Sequence, residues 1–146
     1  DSPSTVLSTA ESRGAYSIGF QSLAAQQFAP EYWISGIGFT LGDKLTWLAS
    51  TVIDGTWEST STWDGIGAGM VGIGEISDAI PAEVKASAED MVARLASGEY
   101  HAFTGPINKQ DGTPWLAEGE TASDYGDDGL AGLNFYVEGI TAEIPQ

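Results

Sequence analysis

The sequence predicts an α/β fold: a mostly parallel sheet with helices on both faces, followed by a loop-rich tail. Three observations carry that prediction. Ile34-Ser35-Gly36-Ile37-Gly38-Phe39 is apolar, β-branched at two places and thinned by glycine, so it reads as a buried strand that another group approaches closely. It runs straight into a stretch where Leu41, Leu45, Leu48 and Val52 fall at the i, i+4, i+7, i+11 spacing of one helical face. Farther on, Val84, Ala88, Met91 and Leu95 form a second such stripe. A strand feeding a helix through a short polar corner is half of a βαβ unit, and open α/β sheets bind ligands at the carboxyl ends of such strands. Phe39 and Thr40 therefore mark a candidate binding edge.

The elements can be justified in order. Ser2-Pro3 reads as an N-cap followed by proline at the first helical position, opening a helix with Val6, Leu7 and Ala10 on one side and Gly14 as its stop. Ala15 to Phe20 reads as a strand. Gln21 to Pro30 is polar and alanine-rich, a loop or a short helix that Pro30 ends. In the central helix, Thr40 is the expected cap, with Asp43 three residues on, and Gly55 the expected stop.

Glu58 to Thr62 is a serine and threonine loop. Trp63 to Gly74 reads as a glycine-rich strand. Its glycines match neither G-x-G-x-x-G between a strand and a helix nor a G-K-[ST] phosphate loop. Pro81 opens a helix over Ala82–Ser97, Glu83, Lys85, Glu89, Asp90 and Arg94 form its wet side, and Gly98 closes it. From Glu99 onward turn residues dominate, and Asp111-Gly112 suits a hairpin turn. Leu133, Phe135, Tyr136 and Val137 supply enough apolar surface to dock this tail. The expected organisation is one lobe over residues 1–146, with 99–146 as its tail.

Charge narrows the function. The chain of 146 residues carries 21 acidic and 5 basic side chains, a net charge of −16. Such a surface repels nucleic acid and anionic lipid. There is no cysteine, hence no disulfide, thiol nucleophile or cysteine metal site. His101 is the only histidine, which excludes a histidine metal cluster and leaves a Ser-His-Asp triad dependent on one residue in a turn-rich segment. Asp124, Asp127 and Asp128, crowded with Gly126 and Gly129, lack the calcium-loop pattern and read as a solvated acidic turn. Acids are so plentiful that no pair stands out for glycoside hydrolysis. Five tryptophans could serve a sugar platform, although Trp47 within a helix and Trp33 beside a strand suit the core better. No catalytic residue, metal site or cofactor is expected.

A series of short segments resembles one family. Ala29-Pro30, the strand-helix-Asp54-Gly55-Thr56-Trp57 unit, Gly69-Met70-Val71 and Ile80-Pro81-Ala82-Glu83-Val84-Lys85-Ala86 come first, followed by Phe103-Thr104-Gly105-Pro106-Ile107, Gln110-Asp111-Gly112 and Phe135-Tyr136-Val137-Glu138-Gly139. In order and spacing they are similar to the C-terminal half of the basic membrane protein family, the substrate-binding proteins of ABC importers that include purine nucleoside receptor lipoproteins. The resemblance implies a Rossmann-like lobe of a type I periplasmic binding protein. It also implies a small nucleoside-like ligand held between two lobes, an ABC permease as partner, and no enzymatic step. The location would be periplasmic or extracytoplasmic, with a lipid anchor on the full-length form.

The same resemblance implies a further N-terminal lobe, and the opening at a helix cap fits a start within a βαβ repeat. An isolated lobe would then form a homodimer through the face its partner lobe covers. The alternatives are a stand-alone carbohydrate or small-molecule binder and, less well supported, an acid-pair hydrolase.

In nucleoside-binding relatives an acid in or just after a Gly-x-x-Ser segment holds the ribose. Here the segment is Gly19-Phe20-Gln21-Ser22-Leu23, with Gln21 and Leu23 where the acid would stand, and Phe39 replaces a lysine found in some relatives. The expected ligand-binding residues are therefore Phe20, Gln21, Ser22 and Phe39. Glutamine would hydrogen-bond hydroxyls or a base edge, and Phe39 would stack on a flat ring.

Overall fold

The computed structural model describes residues 3–122 and 130–144. The Ser2 cap and the Asp124, Asp127, Asp128 turn with Gly126 and Gly129 lie outside the described residues. The chain divides into two compact units, Asp1–Gly98 and Glu99–Gln146.

In the first unit, α1 spans Pro3–Ser12, β1 Ser17–Gln21, β2 Trp33–Phe39, α2 Gly42–Ile53, β3 Val71–Ile73 and α3 Ala82–Ser97, with a 3₁₀ turn over Leu23–Phe28 between β1 and β2. The α/β class stands. The sheet has the order β1-β2-β3; β1 pairs with β2 in parallel and β3 with β2 antiparallel, so parallel pairing holds at one of the two junctions.

Two glycines and one tryptophan explain how the sheet acquires a core. The register slips between Ser17 and Ile18, pairing Ser17 with Trp33 and Ile18 with Ser35. That extra residue shifts the alternation, and the Trp33 indole lies over the face where Gly19 and Gly36 have no side chains. A Cβ at Gly36 would stand 2.6 Å from the ring, and one at Gly19 would overlap it. Trp33 is 5 % exposed and clusters with Leu7 of α1 and with Ala25 and Ala29 around the 3₁₀ turn. The opposite face carries Ile18, Phe20, Ile37 and Phe39, all exposed. Burying the indole accounts for about 3 to 5 kcal/mol of stability.

α1 ends as its glycine requires. Gly14, at φ 64°, donates its N–H to the Glu11 carbonyl while Ala15 donates to the Ala10 carbonyl, the paired bonds of a Schellman stop. The Glu11 carboxylate then accepts the N–H groups of Glu31 and Tyr32 at 3.1 Å each, joining α1 to the segment that starts β2. Val6, expected on the inner side with Leu7, is exposed instead. Of the expected inner residues, Leu7 is buried and Ala10 half-buried.

Four further expectations need correction. Thr40 does not cap α2: the residue at that position is Leu41, and the Thr40 hydroxyl donates to the Gly69 carbonyl at 2.6 Å. A tertiary partner outcompetes the local N–H groups. The apolar stripe of α2 is not buried, since Leu45 is 60 % and Val52 62 % exposed. Periodicity identifies the apolar face but not its cover. Of the glycine-rich stretch, Val71–Ile73 forms the strand and residues 66–69 form a turn. α3 spans its expected residues with Pro81 and Gly98 at its ends, but Ala88, Met91 and Leu95 are only half-buried and Val84 is exposed.

In the second unit, β4 (Ile107–Asn108) and β5 (Pro114–Leu116) form an antiparallel hairpin whose turn contains Gly112 at φ 82°. The later segment docks on it: Gln110 donates its N–H to the Tyr136 carbonyl at 2.7 Å, and Glu138 donates to the Asn108 carbonyl at 3.0 Å. The Trp115 ring meets Phe103 and Phe135 edge-on, with centroids at 5.9 and 5.3 Å. These aromatic contacts, with buried Leu116, form the centre of this unit.

Candidate functional site

β1 and β2 run in parallel, so their carboxyl ends emerge side by side. Gln21 pairs with Gly38 and Phe20 with Ile37. The structure thus brings Phe20, Gln21, Ser22 and Phe39 to one edge of the sheet. Paired residues of a parallel sheet share a face, and so do residues two apart, which places Phe20 and Phe39 on the same uncovered face. Each is 65 % exposed. Their Cα atoms sit on adjacent strands, two residues out of register, so the spacing of an ideal sheet separates them by about 8 Å.

The polar groups are beside the rings. Gln21 and Ser22 are exposed, and neither the carboxamide nor the hydroxyl makes a hydrogen bond with any described residue. Ser22 occupies the position before the 3₁₀ turn in an extended conformation, φ −146°, without capping it. Gln21 has φ 72° and is the one non-glycine residue with positive φ among the described residues. That backbone costs a residue with a side chain on the order of 1 kcal/mol. Sequence reasoning found the residue but not its conformation, because no residue type at positions 20–23 is a left-handed signal.

Opposite Gln21, Gly38 lacks a side chain for a local reason. A Cβ there would lie 3.1 Å from the Leu23 nitrogen and 3.5 Å from the Gln21 carbonyl oxygen. The chain therefore folds tightly across the end of β2 as it leaves β1. The Thr40 bond to Gly69, together with the Thr40 N–H to the Met70 carbonyl at 3.0 Å, fixes the neighbouring end.

Elsewhere the first unit has a cavity of about 230 Å³ lined by Ile73, Gly74, Glu75, Ile76, Glu89 and Val92. None of the four candidate residues lines it. Nearby, Lys85 pairs with Asp78 at 2.6 Å, which lowers the Asp78 carboxyl and raises the lysine, first through that hydrogen bond. No group of three or more His, Cys, Asp or Glu side chains suited to a metal ion occurs among the described residues. His101 is half-exposed, and its carbonyl accepts the Thr104 hydroxyl. Trp47 is exposed on α2 with the Lys44 ammonium 4.2 Å from its ring centre, so of the two tryptophans assigned to the core only Trp33 is buried.

Comparison with known proteins adds two likenesses. Over 140 residues the chain is 39 % identical to a purine-binding protein of Brucella abortus (strain 2308), a match covering 96 % of this chain and 39 % of that protein. The chain thus spans about two-fifths of the relative's length. Among solved structures it resembles a transcriptional activator of the comK gene from Bacillus halodurans, with a TM-score of 0.58 and 18 % identity over 66 % of this chain and 34 % of the other. At that identity the second likeness concerns the fold alone. No family model matches.

Proposed function

We propose that this chain belongs to an extracytoplasmic solute-binding protein and contributes the site for a purine base or nucleoside. The observation that carries the reading is the placement of two exposed phenyl rings, Phe20 and Phe39, on one face at the carboxyl ends of β1 and β2, with the unengaged carboxamide of Gln21 and hydroxyl of Ser22 at the same edge. The 39 % identity to a purine-binding protein supports the same ligand class. Stacking supplies affinity for any flat heterocycle, and the polar pair selects among ring edges. In this reading the protein performs no chemical step and hands its solute to the permease of an ABC importer.

Homodimerisation through the uncovered sheet face would bury the same two phenyl rings. Ligand and second copy therefore compete, and ligand should shift the protein towards monomer. Calorimetric titration with purines and nucleosides is the direct test. Micromolar binding that Phe39→Ala weakens supports the reading; no heat with any of them, or binding indifferent to Phe39, rejects it.

A further inference from the structure

β1 is an edge strand whose outer side has no partner among the described residues. In the order β1-β2-β3 its neighbour is β2, and no isolated bridge or loop hydrogen bond reaches Ile18, Gly19 or Phe20. Ser17 donates its N–H to the Tyr32 carbonyl at 2.8 Å, and the Gly19 carbonyl lies 3.5 Å from the place of a Cβ on Gly36, so both residues turn their backbone groups toward β2. Alternate residues turn theirs to the opposite edge, which leaves the N–H and C=O groups of Ile18 and Phe20 on the outer side. Natural edge strands are commonly guarded by charged side chains or proline. Ser17-Ile18-Gly19-Phe20-Gln21 has neither.

Charge decides what can approach this edge. Residues 15–53 carry Glu31 and Asp43 against Lys44, a net −1 of the chain's −16. Two copies repel each other elsewhere and meet at this stretch with little cost. We propose that β1 pairs antiparallel with β1 of a second copy about a two-fold axis at Gly19. The strand is self-complementary about that residue: Ile18 of one copy stands opposite Phe20 of the other, and Gly19 opposite Gly19. Ile18 and Phe20 are the residues with outward backbone groups, so each such pair exchanges both its N–H···O=C bonds. Their side chains share the uncovered face, 62 % and 65 % exposed, and become β-branched and aromatic neighbours across the axis. The pairing joins two three-stranded sheets edge to edge. It differs from contact through the sheet face, which strand pairing leaves open.

Sedimentation of the full 146-residue chain, with amide hydrogen exchange at matched concentrations, tests the proposal. The expected result is a dimer in which the Ile18 and Phe20 amides exchange about tenfold or more slowly than in the diluted monomer, while the Gly19 amide, turned toward β2, is slow in both. Ile18→Lys, at an exposed position that leaves the fold intact, should raise the dimer Kd about tenfold or more. Adding Phe20→Glu should restore pairing, because residue 18 of one copy then meets the opposite charge at residue 20 of the other. Three results would each overturn the proposal: a monomer at all concentrations, a double variant that pairs no more tightly than the single one, or a dimer whose Ile18 and Phe20 amides exchange as fast as in the monomer. The last is what contact through the sheet face would give.

Discussion

The Thr40 hydroxyl donates to the Gly69 carbonyl at 2.6 Å, tying the end of β2 to the turn that leads into β3. Thr40→Val keeps the shape and removes the donor, so it should cost about 1 kcal/mol in urea unfolding. Thr40→Ser, which retains the hydroxyl, should recover most of that loss. Equal stability of the two variants would show that the bond contributes nothing.

The packing of Trp33 on a glycine floor sets a second expectation. Trp33→Ala should cost about 3 to 5 kcal/mol, and Gly36→Ala, which pushes a methyl into the indole, about 1 to 3 kcal/mol. Chemical unfolding followed by tryptophan fluorescence measures both.

In the hairpin turn, the Asp111 carboxylate accepts the Thr113 hydroxyl at 2.6 Å and the Thr113 N–H at 2.9 Å, and the hydroxyl bond, followed by the N–H, holds its pKa below the ordinary value. A carboxyl that titrates lower when folded favours folding above its unfolded value. That contribution should disappear as pH falls from about 4 through the lower folded pKa. Carbon-detected titration of Asp111 should show the depressed midpoint, and Thr113→Val should move it upward.

Gln110 donates its side-chain amide to the carbonyls of Ile140 and Ala142, at 2.6 and 2.9 Å. Gln110→Ala should leave the hairpin in place and release this segment. Hydrogen exchange at the Ile140 amide should accelerate, with a loss in global stability of about 1 kcal/mol or less.

At the candidate site, Phe39→Ala should cost a bound purine about 1 to 3 kcal/mol, read as a five- to hundredfold rise in Kd. Phe39→Tyr should bind nearly as wild type because it keeps the ring face.

Local signals made much of this fold readable. The glycine-thinned run from Ile34 to Phe39 is a strand, α3 runs between Pro81 and Gly98, and Asp111-Gly112 turns a hairpin, each fixed by chemistry within a few residues. What escaped depended on distant partners. Thr40 has the composition of a cap, yet the Gly69 carbonyl, 29 residues away, takes its hydroxyl. Leu45 and Val52 have the spacing of a core face, but spacing cannot say whether anything closes over them. The antiparallel pairing of β3 depends on the path through residues 54–70, which no local pattern specifies. At the site, the family resemblance pointed to Gln21 and the carboxyl end of the strand to Phe39, whereas nothing in the sequence signals the positive φ of Gln21.

The glycine floor beneath Trp33 also governs how this sequence can drift. Position 33 already holds the largest residue, and Gly19 and Gly36 the smallest, so no single exchange improves the fit from either side. A smaller residue at 33 opens a void, and any side chain at 19 or 36 collides with the ring. Neutral change here must be reciprocal, for example Gly36→Ala together with Trp33→Phe, and a double-mutant cycle should give the pair a coupling energy of about 1 kcal/mol or more. The exposed ends of the same strands carry no such constraint. The residues of the exposed sheet edge can therefore change in single steps while the core beneath them stays as it is.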